Sequence, residues 1–428
     1  MGVFLLVCVA PTAGVLAWGV SRWVPWHTTA EASRLSRELG LRVSLTGVRH
    51  PRPGVVVYEG LQLADPETGQ TLLGCRRLEG TWGPPENPKG RAARSLTLVA
   101  TGPEIEAVGL EPLAELVRQG LGRRASWSRL EVRLGAGEAT LRSTDGPWTL
   151  TTVEGFLRPV VGGSYGEIGF RPADVPTTEP VRICVGRDCR EKPPRTGLEL
   201  YTGGGTLPCS LLSLGLPGLE RLGRSSGFRG YLWINRKPEG LAHELTGQFS
   251  GVDLESLLGA CSPHQITGRA QVTIEVARLL DGRLEEASGS ITAGPGLVGR
   301  SLLDASVESL GLERGAEPRS PGKLVPYEQL AASFQIDSEG LRVRGACPVL
   351  GHGTVMVDHF SRLLAEPEAS AQPIPVGALV RTLVPSGGVP VPATRASDWL
   401  MRVLPLPEAA PDAAPEARGG QGEPFEQR

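Results

Sequence analysis

Apolar residues alternate with polar ones on both sides of a turn between Phe334 and Val343. Phe334 and Ile336 are followed by Ser338-Glu339-Gly340, then by Leu341 and Val343. A two-residue period belongs to extended chain with one buried face, because successive side chains of a strand point to opposite sides. Thr354-Val355-Met356-Val357 begins another extended run, so residues 327–358 read as a meander of short antiparallel strands. Extended runs recur along the chain at 41–48, 55–63, 72–78, 96–100, 130–134, 139–142, 148–156, 231–235 and 245–254. The longest, 266–276, is joined to 284–293 across Asp281-Gly282, and Asp-Gly between extended runs is a strong hairpin signal.

Composition agrees with many strands and many turns. Gly 57 and Pro 37 together exceed a fifth of the 428 residues, which suits turn-rich β structure and not a helical protein. No Gly-X-Y period is present, which excludes collagen. The 44 basic and 46 acidic residues are mixed along the chain, giving a net charge of -2 and no basic stripe of the kind that binds nucleic acid. Helices are expected at 28–39, capped by Thr28-Thr29 and ended by Gly40, and at 111–121, 255–258 and 297–312. Leu113, Leu116 and Val117 give the second of these an apolar face suited to covering a sheet. Residues 172–194 are Pro-rich and read as irregular, and the Ala/Pro/Glu/Gly-rich chain beyond about 405 reads as disordered.

The N-terminus carries a different signal. Val3 to Val20 contains no charged residue, and eighteen residues in a helix span about 27 Å, close to a bilayer's hydrocarbon core. Trp18, Trp23 and Trp26 cluster at one end, as interfacial aromatic residues do, and Arg22 closes the run. A single-span anchor is the favoured reading. A cleaved signal peptide and a buried core helix are the alternatives; the nearest small-residue cleavage pattern, Ala30-Glu-Ala32, lies well past the apolar run. Arg22, Arg34 and Arg37 follow the span, so charge alone favours a cytoplasmic C-terminal side.

The sequence GLRVSLTGV…PGVVVYEGLQLADPETGQTLLGCRRLE after the anchor, the hairpin series from Arg229 to Ala293 and the meander at 327–358 resemble the AsmA-like family of membrane-anchored bacterial envelope proteins. The resemblance covers roughly residues 1–80 and 225–385. It implies a single-pass inner (cytoplasmic) membrane protein with its body in the periplasm, and a lengthwise lipid-binding groove. The fold expected is mainly β (α+β). An N-terminal transmembrane helix precedes a curved antiparallel β-sheet forming a groove, with a few covering helices and a disordered C-terminal tail. The regions expected are an anchor at 1–26, an N-terminal β-rich region at 27–160, an irregular Pro/Gly-rich insertion with a leucine-rich helical segment (207–223) at 161–225, a C-terminal β-rich region at 226–385 and a mostly disordered tail at 386–428.

Candidate sites follow from side-chain chemistry. Cys184 and Cys189 are the one close cysteine pair; a disulfide across a small loop, two free thiols and a metal site are the three readings, and the last lacks nearby histidines. His27, His50, His243, His264, His352 and His359 show no metal-binding spacing, and no nucleophile elbow or phosphate loop is present. Asp253 and Glu255 read as helix N-terminal acids. No enzyme activity, cofactor or metal is expected. Phe249, Ile274, Val276, Phe334, Ile336, Leu341 and Val343 are candidates for one apolar sheet face, either as the lining of a groove for acyl chains or as core between sheet and helix. The function expected is lipid binding or transfer supporting outer-membrane and envelope biogenesis, with membrane lipids as partners and no nucleic acid. A structural scaffold that binds envelope proteins through sheet edges is the alternative.

Overall fold

The computed structural model describes residues 25–85, 92–122, 129–143, 146–190, 192, 194–213, 219–237, 240–259, 262–315, 322–348, 353–359, 361–367, 372–383 and 403–404. The expected anchor lies outside these residues except for its last two positions. Among the described residues no helix is long and apolar enough to cross a membrane.

Helix α1 (Pro25–Leu39) ends at Gly40, whose φ of 71° supplies the left-handed turn that only glycine takes without strain. The short strands β1 (Arg42–Ser44) and β2 (Gly47–Arg49) both pair with β3 (Val55–Ala64), followed by β4 (Thr71–Gly83) and β5 (Arg94–Glu106). Helix α2 (Leu110–Gly122) then carries the chain back across the sheet, so β6 (Leu130–Ser143) pairs parallel with β5. A parallel pair requires such a crossover, which explains the helix between two strand series.

From β6 onward the sheet grows by antiparallel neighbours: β7 (Gly146–Val160), β8 (Gly163–Pro172), β9 (Val181–Asp188) and β10 (Arg195–Tyr201). The irregular insertion expected at 161–225 is therefore corrected. Pro172, Pro176, Pro180 and Pro194 sit at a strand end or between strands, while Gly166, Gly169, Gly186 and Gly197 lie within the three strands β8, β9 and β10. The two-residue β11 (Leu207–Pro208) and the short α3 (Cys209–Leu212) lead into β12 (Gly227–Lys237), β13 (Gly240–Asp253), α4 (Leu254–Gly259), β14 (Arg269–Leu280) and β15 (Arg283–Ala293). The β14–β15 turn has positive φ at both Asp281 and Gly282, the geometry that Asp-Gly predicts.

The chain leaves the main sheet for β16 (Gly296–Gly299), α5 (Arg300–Leu310), the edge strand β17 (Glu313–Arg314) and β18 (Leu324–Tyr327), with β16 and β18 forming a separate pair. The helix expected at 297–312 thus starts later, because Leu297 and Val298 pair with β18. It then completes the meander as β19 (Gln329–Asp337), β20 (Gly340–Gly345), β21 (Thr354–Val357) and β22 (Arg362–Ala365), and ends in α6 (Val376–Leu383). Of the expected disordered tail, Leu404 is buried in the cluster formed by α6 and the sheet; its other residues lie outside those described, 403 apart.

Two apolar clusters share one face of this sheet. Leu61, Leu72, Leu141, Val153, Phe170 and Val181 lie in the first, and Phe228, Phe249, Val252, Leu303 and Val325 in the second. Leu212 and Leu245 pack against both. In the second cluster Gly230 and Gly247 are cross-strand partners, and the Phe228 ring covers them both. A Cβ on Gly247 would come within 2.4 Å of the Arg229 carbonyl oxygen, at a φ of 150°. Gly247→Val should therefore cost about 3 kcal/mol or more, read as a fall in the urea midpoint of unfolding.

Candidate functional site

Strand register arranges the apolar residues into rows that run across the sheet. One row passes Val56, Gly80, Leu98, Leu134, Gly155, Ile168, Ile183, Leu200, Leu232, Leu245, Ala277, Ala287, Ile336 and Leu341 through direct cross-strand partners. It crosses every strand from β3 to β20 in the main sheet except β11 and β17 without one polar side chain. At about 4.8 Å per strand it extends roughly 60 Å.

The rows on either side differ. Toward one rim lies Trp82, Leu96, Val132, Leu157, Gly166, Val185, Leu198, Ile234, His243, Leu279 and Leu284, apolar at every position but His243. This row is open, with Trp82 40% and Leu198 37% exposed. Toward the opposite rim the face closes. There Phe228 pairs with Phe249, Phe249 with Val272, Val272 with Ile291 and Ile291 with Ala332, and α5 contributes Leu303 to the same cluster. Helix α1 adds Leu35 and Leu39, and α2 adds Leu110 and Leu113, to the cluster of the N-terminal half. Helix α6 covers the end of the long row, burying Ile336 and Leu341 with Val376. The face therefore has one sealed rim, one helix-covered end and one open rim.

Six of the seven apolar residues singled out in the sequence lie on this face. Phe334 opposes Val343 and Ile336 opposes Leu341, as the alternation predicted. Their burial differs. Ile336, Leu341 and Phe249 are core residues, whereas Ile274, Phe334 and Val343 are half-buried. Val276 is the exception. A bulge between Ile274 and Val276 sets Ile274 opposite Gly289 but Val276 opposite Ser288. The extra residue, Glu275, shifts the two-residue phase, so Ala277 continues the apolar row and Val276 joins Ser288 and Gln335 on the polar face.

Cys184 and Cys189 are both free thiols. Cys184 lies in the extended strand β9 and Cys189 just beyond it, so about 16 Å of chain separates them, far beyond the reach of a disulfide. The small loop expected between them does not exist, because 184–188 is strand. Burial pushes the Cys184 thiol above its ordinary pKa. Cys75, Cys209 and Cys347 are buried. Asp253 acts as the expected helix N-terminal acid, accepting hydrogen bonds from the backbone N–H of Glu255 at 3.0 Å and from Ser256 Oγ at 3.0 Å.

His243 had no motif to mark it. It is the only titratable side chain in the open apolar row, flanked in register by Ile234 and Leu279, and its buried Nδ1 has no hydrogen-bond partner. Burial lowers its pKa. Only strand register reveals this position, because a lone histidine between Ala242 and Glu244 carries no sequence signal.

Comparison of the chain with protein-family models, with curated proteins and with solved structures gives no match.

Two measurements check this geometry. Under oxidising conditions, thiol counting by alkylation and intact mass should find no Cys184–Cys189 disulfide, and Cys189, which is exposed, should react well before Cys184. For His243 the folded pKa lies below the unfolded one, so the unfolded chain binds more protons as pH falls through the unfolded value. Stability from this group is fully present above about pH 6.5 and declines toward acid. His243→Leu should flatten that decline, seen as a smaller drop in Tm between pH 7 and pH 5 than in the parent.

Proposed function

We propose that the chain is a lipid-binding protein of the bacterial envelope, holding acyl chains along the open part of its apolar face and passing them on without chemistry. The observation that supports this most is the unbroken apolar row from Val56 to Leu341, beside an equally greasy row that solvent reaches. A core needs to be closed on all sides, and this face is closed on only some. Its backbone groups are spent in the sheet ladder, so an apolar ligand meets no unpaired amide.

The energetics suit exchange. A sixteen-carbon chain gains roughly 13 kcal/mol on complete removal from water at about 0.8 kcal/mol per CH₂. A half-covered face recovers part of that, and a bilayer offers the same chain a similar gain, so movement between the two is near balance. An N-terminal anchor would hold one end of this route at the inner membrane, with the body in the periplasm, as the AsmA-like resemblance implies. The scaffold alternative draws less support. Of the terminal strands, β1 and β2 have 3 residues each and β17 has 2, and β20, of 6, is partly covered where Leu341 bridges Ile374, so few backbone groups are offered.

The test is lipid content. Full-length protein purified in a mild detergent and analysed by mass spectrometry should carry acyl lipid. Ile183→Glu and Leu198→Glu, on half-exposed positions of the two rows, should keep the folded circular-dichroism spectrum and lose at least half of that lipid. A folded protein with no associated lipid in either form would sink the reading.

A further inference from the structure

The open rim of the apolar face carries a second pattern. It is formed by the start of β3, the end of β4, the starts of β5 and β6, the β7–β8 turn, the end of β9, the start of β10, the β12–β13 turn and the β14–β15 turn. Nine large hydrophobic residues are exposed among the described residues, and five of them, Trp82, Val160, Val161, Leu198 and Leu241, lie along this one rim. Val161, at the tip of the β7–β8 hairpin, is 70% exposed. A soluble surface scatters such residues singly, so their alignment marks a contact surface.

Arginines outnumber carboxylates among the described residues of the rim. Arg52, Arg94, Arg129, Arg187, Arg195 and Arg283 lie at these strand ends and turns. Arg94 sits 5.0 Å over the Trp82 ring, pairing a cation with an exposed aromatic residue. Among the described carboxylates at this rim, Glu131, Asp188 and Asp281 are engaged within it, Glu131 with Arg133 at 2.9 Å. Asp188 holds Arg190, and Asp281 accepts the Leu241 backbone N–H at 2.9 Å. At the opposite rim cations and carboxylates are matched, Arg142 with Glu104 at 2.7 Å and Arg182 with Glu179 at 3.0 Å. Arginine interleaved with tryptophan and aliphatic tips is the composition that seats a protein in the headgroup layer of an anionic bilayer.

The chain's own entry point agrees. Helix α1 begins at this rim. Its His27 packs edge-to-face on His50, which follows β2 at the rim end of the sheet, with ring centroids 5.8 Å apart. The uncharged run from Val3 to Val20 ends five residues before Pro25, the first residue of α1.

We infer that this rim lies against an anionic membrane surface, with Trp82, Val160, Val161, Leu198 and Leu241 at the depth of the headgroups and the arginines on lipid phosphates. The open apolar row then faces the bilayer along its length, and the polar face of the sheet stays in water. This placement stands independently of whether the face holds lipid.

Depth measurement in reconstituted full-length protein tests it. A fluorophore is placed at Val161→Cys, with Glu67→Cys in the β3–β4 turn of the opposite rim as the control, each in a Cys184→Ser/Cys189→Ser background. In vesicles containing phosphatidylglycerol, lipids spin-labelled near the headgroup should quench the Val161→Cys probe at least twofold more than the Glu67→Cys probe. Arg94→Glu/Arg187→Glu, or vesicles of phosphatidylcholine alone, should at least halve that difference, as should 0.5 M salt. Equal quenching of the two probes in phosphatidylglycerol overturns the docking of this rim. A difference unchanged by charge reversal, by lipid and by salt overturns the assignment to an anionic surface. Neither result bears on the lipid content measured by mass spectrometry, so the two readings fail separately.

Discussion

Everything distinctive about this molecule depends on the register of its largely antiparallel ladder. A strand supplies one apolar residue in two, and that residue means little until its neighbours' apolar residues fall directly beside it. Here fourteen successive strands are in phase, from Val56 on β3 to Leu341 on β20. A slip of one residue anywhere would turn the following strand's apolar set to the polar face. The row therefore holds the register, since slipping would expose leucines and bury arginines, and the register holds the row.

The bulge at Glu275 shows how that phase is corrected locally. Without it, Val276 would follow Ile274 onto the apolar face and Ala277 would fall among charges. The inserted residue restores the match to Leu245 on one side and Ala287 on the other. Covering helices then decide how much of the face stays accessible. Helices α5 and α6 are placed where the chain leaves and rejoins the C-terminal strands, so the face is sealed at that end, while the strands from β4 to β13 keep one rim bare.

Much of the architecture was legible in the residues. The alternation of Phe334, Ile336, Leu341 and Val343 gave the correct face, Asp281-Gly282 gave its hairpin, and Gly40 ended its helix. The misreadings share a cause, which is that local composition says nothing about partners. Prolines near 172 and 194 suggested irregular chain, yet they bracket a strand held on both sides by β8 and β10. Cys184 and Cys189 looked close because sequence distance is small, but extended backbone keeps them apart. Val276 looked like its neighbours because a bulge leaves no mark in composition. His243 and the arginine rim were invisible for the same reason. They are properties of strand ends brought side by side from nine separate parts of the chain.

The parallel pair β5–β6 has a consequence for how such a sheet forms. Elsewhere most neighbours follow one another along the chain, so each new strand can zip onto the last across a short turn, at small loop-closure cost. Between β5 and β6 no turn can do this, and the strand cannot add until α2 has crossed the face and docked Leu110 and Leu113. The ladder therefore has a nonlocal step here, as it has again where β15 pairs with β19, between otherwise local additions. Strands beyond β6 can nucleate from their own hairpins before the first five have joined them. The parallel seam at β5–β6 is thus one place where a sheet built by successive addition must be joined from separately growing parts.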